Sequence, residues 1–353
     1  MPATRAWPTQ SISSGANTAT YRQRLSGRRS RTRGIRAGGS GTSNAGTPEP
    51  RTGSVGIGGS TLQIDWSVNE KGGGPLRAAA VQLESTPDVD RNLHEAERLT
   101  RAAATDGASL VVLPERLDIR GAPEQYADKS EPLDGHVVGW ARALAAELGV
   151  DLVAGSIAER REGHERVANT SVHAGPDGEI KAVYRKIHMF DVEVGGVEYR
   201  ESEHSEPADE VVLSETADDV RLGLTICYDL RFPELYRILA LHGARIITVP
   251  ANFTRITGEA HWEVLLRARA IENQVFVIAP GQGRGTGPEA DSYGNSMIVD
   301  PWGEVLARAG GEGACFVAAD LNLAHQQEIR EKLPSLANRV AAAYRWPQEA
   351  RVR

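Results

Sequence analysis

One cysteine, Cys227, stands where an apolar strand-like run gives way to a helix-like one. The run Arg221–Ile226 precedes it, and Pro233, which favours the first turn of a helix, follows it. Amides at a helix N-terminus lower the pKa of a nearby thiol and can donate hydrogen bonds to a developing oxyanion. The position therefore favours a nucleophile, although a lone cysteine is also a common small buried hydrophobe.

Two charged side chains stand in comparable strand-like runs. Glu115 closes the run SLVVLPE, and the carboxyl ends of strands in open α/β sheets are where ligands bind. Lys186 lies in AVYRKIHMFD, where strand alternation puts it on one face with Tyr184 and His188. Taken singly, such an acid is often solvated and such a lysine often protects a sheet edge. Together with the thiol, they could supply a general base and an oxyanion-stabilising cation for acyl transfer.

Three segments carry a resemblance to a known family. LVVLPE, YRKIHMFD and LTICYDLRFPELYR are similar, in order and content, to the three signature segments of the nitrilase, or carbon–nitrogen hydrolase, superfamily. The resemblance covers about residues 76–335. It implies a four-layer α-β-β-α sandwich and a Glu–Lys–Cys triad at Glu115, Lys186 and Cys227.

The resemblance implies further roles. Glu201, which follows the lysine by 15 positions, looks like the second glutamate of the family, which orients the lysine and assists the base. Glu115 would take the thiol proton and later protonate the leaving ammonia, while the lysine and the backbone N–H of Tyr228 would hold the oxyanion. Without the resemblance, the residues predict only a solvated acidic loop over Val192–Glu206.

Two more segments narrow the resemblance. TGEAHWEVLLRARAIENQ and SYGNSMIVDPWGEV are similar to the deaminated glutathione amidase and ω-amidase branch, whose substrates carry a primary amide beside an α-keto acid group. That branch usually has histidine where Asn295 stands. We therefore expect a thiol amidase that hydrolyses a small carboxylated amide to acid and ammonia. The alternatives are a nitrilase or an N-carbamoyl or polyamine amide hydrolase on the same triad, or a catalytically silent binding protein.

Three residues are candidates for contact with the substrate. Arg231 could grip a substrate carboxylate through two parallel hydrogen bonds. The structural alternative is an internal ion pair of Arg231 with Glu234 or Asp229. Asn252 and Phe253 belong to PANFTRITG, a segment that we expect to line the pocket.

The rest of the chain from residue 76 onward alternates strand-like and helix-like segments. Helix-like spacing of apolar residues occurs around 92–104, 138–148, 233–240 and 260–273. Strand-like runs include 76–85, 109–115, 150–157, 244–250 and the late runs SMIVD, GEVLARA and CFVAADL. This alternation predicts an α/β fold with mixed sheets. Because no linker interrupts it, we expect residues 76–353 to be one carbon–nitrogen hydrolase domain.

Residues 1–75 have a different composition. They contain ten Lys/Arg against three Asp/Glu and 14 of the 37 glycines, with no sustained hydrophobic period. We expect a disordered Ser/Gly/Arg-rich extension, because such a composition cannot fill a core. A transit peptide, a basic arm or a misassigned start are the interpretations left open.

Composition excludes several classes of protein. The 353 residues are 40% hydrophobic and 25% charged, which is ordinary for a globular protein, and no apolar run reaches the roughly 18 residues of a membrane helix. Two cysteines cannot build a disulfide framework, and the nine histidines lack metal-ligand spacing. We expect a cytoplasmic enzyme without cofactor or metal, acting on a small-molecule amide and not on nucleic acid or membrane. The resemblance implies at least a homodimer.

Overall fold

The computed structural model describes residues 76–285, 291–340 and 343–344, and the backbone of 52–57 and 60–65. The strands in chain order are β1 (Thr52–Ile57), β2 (Ser60–Asp65), β3 (Leu76–Gln82), β4 (Leu110–Val112), β5 (Asp151–Glu159), β6 (Ala168–Ala174), β7 (Ile180–Arg185), β8 (Asp191–Val194), β9 (Val197–Arg200), β10 (Leu213–Glu215), β11 (Arg221–Leu224), β12 (Ile246–Thr248), β13 (Phe276–Ala279), β14 (Met297–Val299), β15 (Val305–Arg308) and β16 (Cys315–Leu321).

The helices are α1 (Val89–Thr105), α2 (Pro123–Lys129), α3 (His136–Leu148), α4 (Pro233–Leu241), α5 (Arg255–Asn273) and α6 (Leu323–Lys332). Two short 3-10 turns cover Glu201–Glu203 and Cys227–Arg231. The ends of the helices follow local chemistry. The Asp88 side chain caps α1 by accepting a hydrogen bond from the N–H of Arg91, and α3 ends at Gly149, whose φ of +65° is left-handed.

Two six-stranded mixed sheets form the centre of the fold. The first has the strand order β16-β3-β4-β5-β6-β7 and the second β10-β11-β12-β13-β14-β15. In each sheet three parallel strands, β3–β5 or β11–β13, are flanked by antiparallel ones. Glu115 follows β4 and Cys227 follows β11, so both lie beyond the carboxyl ends of parallel strands, where ligands collect in open α/β sheets.

The sheets pack face to face and helices cover both outer faces. Ala78 and Ala80 of β3 belong to the core shared with the second sheet, α4 and α5. Ala79 and Val81, on the opposite face of the same strand, belong to a core shared with α1 and α3. The layers are therefore helix, sheet, sheet, helix, and the α-β-β-α arrangement expected from the resemblance is confirmed.

The stretch Val192–Glu206, an irregular acidic loop when interpreted without the resemblance, has regular structure: β8 and β9 pair as an antiparallel hairpin with many exposed residues, and a 3-10 turn follows. The turn is fixed by side-chain and backbone bonds, since the N–H of Ser202 donates to Asp191 Oδ1 and the N–H of Ser205 donates to the carbonyl of Glu201. Helices α2 and α6 were also not anticipated from the sequence.

Little of the N-terminal extension is described. Strands β1 and β2 form an antiparallel hairpin between residues 52 and 65. Positions 1–51, 58–59 and 66–75 lie outside the described residues, so the boundary at residue 75 stays a prediction. Across the described residues, no helix is both long and apolar enough to span a bilayer.

Candidate active site

Cys227 is the first residue of the 3-10 turn between β11 and α4, where the sequence placed a nucleophile. Its backbone has φ +46°, a left-handed conformation that is uncommon outside glycine and clusters at functional sites. Its N–H donates to the carbonyl of Pro250 at 2.8 Å, which ties the turn to the end of β12. Tyr228 is the second residue of the turn, so its N–H has no partner within the turn.

Asp229 holds the Cys227–Arg231 turn together. Its Oδ2 accepts hydrogen bonds from the N–H of Ile226 at 2.8 Å and from the Tyr184 hydroxyl at 2.7 Å. Its Oδ1 lies 2.8 Å from His188 Nδ1. Tyr184 and His188 thus both contact Asp229. Because β7 ends at Arg185, strand alternation does not extend to Lys186 and His188. Sequence analysis considered Asp229 only as an ion partner, and missed this role.

Lys186 is buried between two carboxylates. Its Nζ lies 3.0 Å from Glu115 Oε1 and 2.7 Å from Glu201 Oε2. The exposed fraction of the side chain is 2% for the lysine, 5% for Glu115 and 13% for Glu201. The four residues singled out from sequence therefore form one buried cluster, with Cys227 itself only 6% exposed.

Asn169 of β6 links the two carboxylates from the other side. Its Nδ2 donates to Glu115 Oε1 at 2.9 Å and to Glu201 Oε1 at 3.0 Å. The second oxygen of Glu115 accepts the N–H of Asn252 at 2.7 Å. Sequence analysis missed Asn169, and the available signal was a polar amide inside the strand-like run RVANTSVHA; the structure shows that this amide is fully buried.

Charge and burial set the protonation of the cluster. Burial by itself lowers the pKa of Lys186, but the charges of Glu115 and Glu201 outweigh it and raise that pKa. Burial raises the pKa of Glu201, yet the cations Lys186 and Arg116 outweigh it and lower that pKa. For Cys227, burial and then the charge of Glu115 raise the pKa of the thiol well above its usual range, against the opposing field of Lys186. The resting site therefore holds a neutral Cys227 thiol beside an ionised Glu201 and the Lys186 ammonium.

The loop that carries Glu115 is fixed through its backbone. Gln282, beyond β13, donates from Nε2 to the carbonyl of Glu115 at 2.9 Å. Ser156 Oγ accepts the N–H of Arg116 at 3.1 Å. Gly155 lies so close that an added Cβ would be 1.9 Å from the carbonyl oxygen of Pro114, so no side chain fits there. These contacts join residues that are distant in sequence, so no local sequence pattern predicts them.

Arg231 and Phe253 lie together, and Asn252 sits beside them in the chain. The Arg231 guanidinium carbon is 5.1 Å from the centroid of the Phe253 ring, and its Nη1 is 3.3 Å from His261 Nδ1. Asp229 makes its contacts around the Cys227–Arg231 turn, and within the described part of the chain Arg231 makes no ion pair with it or with Glu234. Asn252 Oδ1 accepts a hydrogen bond from Ser292 Oγ at 2.5 Å, which fixes its side chain.

Asn295 stands outside this cluster. Its φ of +54° is left-handed, a conformation that asparagine tolerates better than most residues. Its Nδ2 donates to the carbonyl of Tyr293 at 2.7 Å, and its Oδ1 accepts from Arg308 at 2.8 Å. The departure from histidine is thus accommodated in a turn, by contacts that involve none of the clustered residues.

Comparison with known proteins agrees with the geometry. A model of the carbon–nitrogen hydrolase family matches residues 77–331. The chain is 42% identical over 267 residues to a deaminated glutathione amidase of Bos taurus, covering 74% of this chain and 81% of the relative. It is 38% identical over 260 residues to Omega-amidase NIT2 of Xenopus tropicalis, covering 73% and 93%.

A solved structure agrees as well. The crystal structure of Saccharomyces cerevisiae Nit3, a member of branch 10 of the nitrilase superfamily, aligns with a TM-score of 0.68 and 30% identity over 74% of this chain and 95% of that chain. The chain belongs to the carbon–nitrogen hydrolase family. It is a hydrolase that acts on carbon–nitrogen bonds other than peptide bonds.

Proposed function

We propose that Cys227 is the nucleophile, Glu115 the general base and acid, and Lys186 the cation that stabilises the oxyanion of a thiol amidase. The observation that carries this proposal is the sharing of Lys186 Nζ between Glu115 Oε1 at 3.0 Å and Glu201 at 2.7 Å, inside a buried cluster that includes the thiol. Because the pKa of the thiol is raised, a base must take its proton before it can attack.

In this mechanism Glu115 takes the proton from Cys227 Sγ as sulfur forms a bond to the amide carbon. The carbonyl oxygen becomes an oxyanion, held by Lys186 and the N–H of Tyr228. The carbon–nitrogen bond then breaks, and Glu115 returns the proton to the departing ammonia. Water attacks the thioester with Glu115 as base, the carbon–sulfur bond breaks, and the thiol recovers its proton from Glu115. Glu201 orients Lys186 throughout.

We propose a small amide with a carboxylate, carried beside an α-keto group, as the substrate. The relatives named deaminated glutathione amidase and Omega-amidase NIT2 support this class. So does Arg231, which makes no ion pair with any residue that the structure describes and can bind a carboxylate through its planar guanidinium group. The Phe253 ring packs against that guanidinium, and the N–H of Asn252 donates a hydrogen bond to Glu115.

Two other functions use the same fold. A nitrilase or an N-carbamoyl or polyamine amide hydrolase would share the triad and differ only at the substrate carboxylate, where Arg231 favours an anionic amide. A silent binding protein would not need a buried thiol between charged groups, since burying charges costs several kcal/mol each. The complete cluster therefore favours catalysis.

The proposal also includes a homodimeric assembly and a cytoplasmic location. Ile238 of α4 and Val264 and Ile271 of α5 are exposed on outer helix faces, which supports a homodimer that covers them. Cys227 and Cys315 are free thiols, which is consistent with a reducing compartment such as the cytoplasm. Gel filtration with light scattering tests the dimer, and a monomer would contradict it.

The direct test is ammonia release by the purified protein on deaminated glutathione, α-ketoglutaramate and a simple nitrile, with Cys227→Ala alongside. We expect release from at least one of the two keto-acid amides and none from the variant. Release from the nitrile alone would favour the nitrilase. Absence of release from all three by folded protein would contradict the amidase.

A further inference from the structure

Arg116, the residue directly after Glu115, is buried and strained. It is 5% exposed and its φ is +58°. A left-handed backbone is uncommon for a long side chain and persists only where the surroundings impose it. Here Ser156 Oγ accepts its N–H and Gln282 Nε2 donates to its carbonyl at 3.2 Å. The turn thus sends two consecutive side chains, Glu115 and Arg116, into the buried cluster.

The guanidinium reaches the carboxylate opposite Lys186. Arg116 Nη2 lies 3.4 Å from Glu201 Oε1 and 3.5 Å from Ser205 Oγ. Its guanidinium carbon lies 4.1 Å from the centroid of the Tyr126 ring, which supports the plane from α2. Glu201 is therefore held at Oε1 by Arg116 and Asn169, and at Oε2 by Lys186 and by the N–H of Phe190 at 2.9 Å.

The formal charges of Glu115, Glu201, Lys186 and Arg116 sum to zero, and the buried carboxyl of Asp118 also acts on Arg116. Glu115 and Glu201 contribute two negative charges, while Lys186 alone contributes one positive charge. With one cation between two buried carboxylates, the field of the ammonium would be largely neutralised before it reached a substrate oxygen. A second cation on the far side of Glu201 offsets that carboxylate and leaves Lys186 available to the oxyanion.

We infer that Arg116 is a positioning residue of this enzyme, which holds and neutralises Glu201 so that Lys186 stays directed at Glu115 and the developing oxyanion. This inference rests on the proposed function of the cluster. Arg116 need not touch the substrate, because it acts through Glu201 and Lys186. Its loss should therefore affect kcat and leave KM nearly unchanged.

The test compares Arg116→Asn with Arg116→Lys. Asparagine tolerates the left-handed backbone, so R116N removes the charge without adding backbone strain. We expect kcat of R116N at pH 7.5 to fall by about 10- to 100-fold, as for other residues that orient a catalytic group, with KM within about twofold. The acid limb of kcat should move to higher pH by about one unit, because a cation near the carboxylates is lost. R116K should recover part of both changes.

Arg98→Gln, which removes an exposed arginine paired with Glu95 on α1, is the control and should leave kcat and its pH profile unchanged. Circular dichroism melting shows that each variant is folded. An R116N enzyme with unchanged kcat and acid limb overturns the inference, as does a loss of kcat that R116K does not relieve and that leaves the acid limb in place. Turnover by Cys227→Ala would instead overturn the proposed function itself.

Discussion

Replacing Lys186 with methionine removes the ammonium that two buried carboxylates share. Nζ lies 3.0 Å from Glu115 and 2.7 Å from Glu201, and all three side chains are at most 13% exposed. Methionine keeps most of the volume of the lysine stem, so packing changes little. Removing one partner of a buried ion pair costs about 3–5 kcal/mol. We expect the free energy of unfolding at pH 7.5 to fall by that amount in K186M.

The stability deficit of K186M should depend on pH. Without the ammonium, the two carboxylates face each other across Asn169, and the folded variant relieves their repulsion by binding a proton. A carboxyl group that holds its proton more tightly when folded stabilises the protein at low pH, and this stability is lost as pH rises. The deficit should therefore shrink as pH falls from 7.5 toward the unfolded-state value near 4.3, by up to about 1.4 kcal/mol per pH unit.

Urea unfolding at pH 5.5 and 7.5 measures both effects. The double variant Lys186→Met with Glu201→Gln is the matched control, since it leaves Glu115 balanced by Arg116 and should recover most of the deficit. Equal stability of K186M and the parent protein at pH 7.5, or a deficit that is the same at both pH values, would refute the charge-sharing argument.

Three further results are expected. Asn169→Leu removes the amide that joins the two carboxylates and should lower kcat by about 10- to 100-fold at unchanged KM, measured by ammonia release. An unchanged kcat would contradict the role of Asn169 in positioning Glu115 and Glu201. Arg231→Met should raise KM for a carboxylated amide by about 10- to 100-fold, which corresponds to the free energy of a charged hydrogen bond. KM for an uncharged amide should stay unchanged. Equal increases of KM for both amides would contradict carboxylate binding by Arg231. The folded pKa of Glu201 is lowered to about 2, so its contribution to the free energy of unfolding is present above about pH 4.5 and is lost as pH falls. Between these pH values Glu201→Gln should therefore lose less stability than the parent protein, by on the order of 3 kcal/mol. Matching acid-unfolding curves would contradict this expectation.

The sequence predicted the main elements because each has a local cause. The apolar run before Glu115 and the run before Cys227 became the central parallel strands β4 and β11. Alternation in AVYRKIHMFD correctly indicated the strand that is β7, although β7 ends at Arg185, before Lys186 and His188. In both cases the period of side-chain burial is written in consecutive residues.

Long-range contacts could not be predicted in this way. Glu201 approaches Lys186 because hairpin β8–β9 returns the chain to Phe190, whose N–H donates to Glu201, and the acidic composition of the hairpin by itself indicated a solvated loop. Only the family resemblance pointed to Glu201. Asn169 and Arg116 were missed because a buried amide or guanidinium is recognised by its hydrogen-bond partners, and the carboxylates that these two contact lie 32 or more positions away in sequence.

The central claim is that Cys227 forms a covalent acyl intermediate. The most direct measurement is mass spectrometry of protein quenched in acid during turnover of α-ketoglutaramate, followed by peptide mapping. We predict a thioester acyl adduct on the peptide that contains Cys227, absent from Cys227→Ala, with Cys315 unmodified. Ammonia release by the parent protein without any adduct on Cys227, and sustained by Cys227→Ala, would contradict this mechanism.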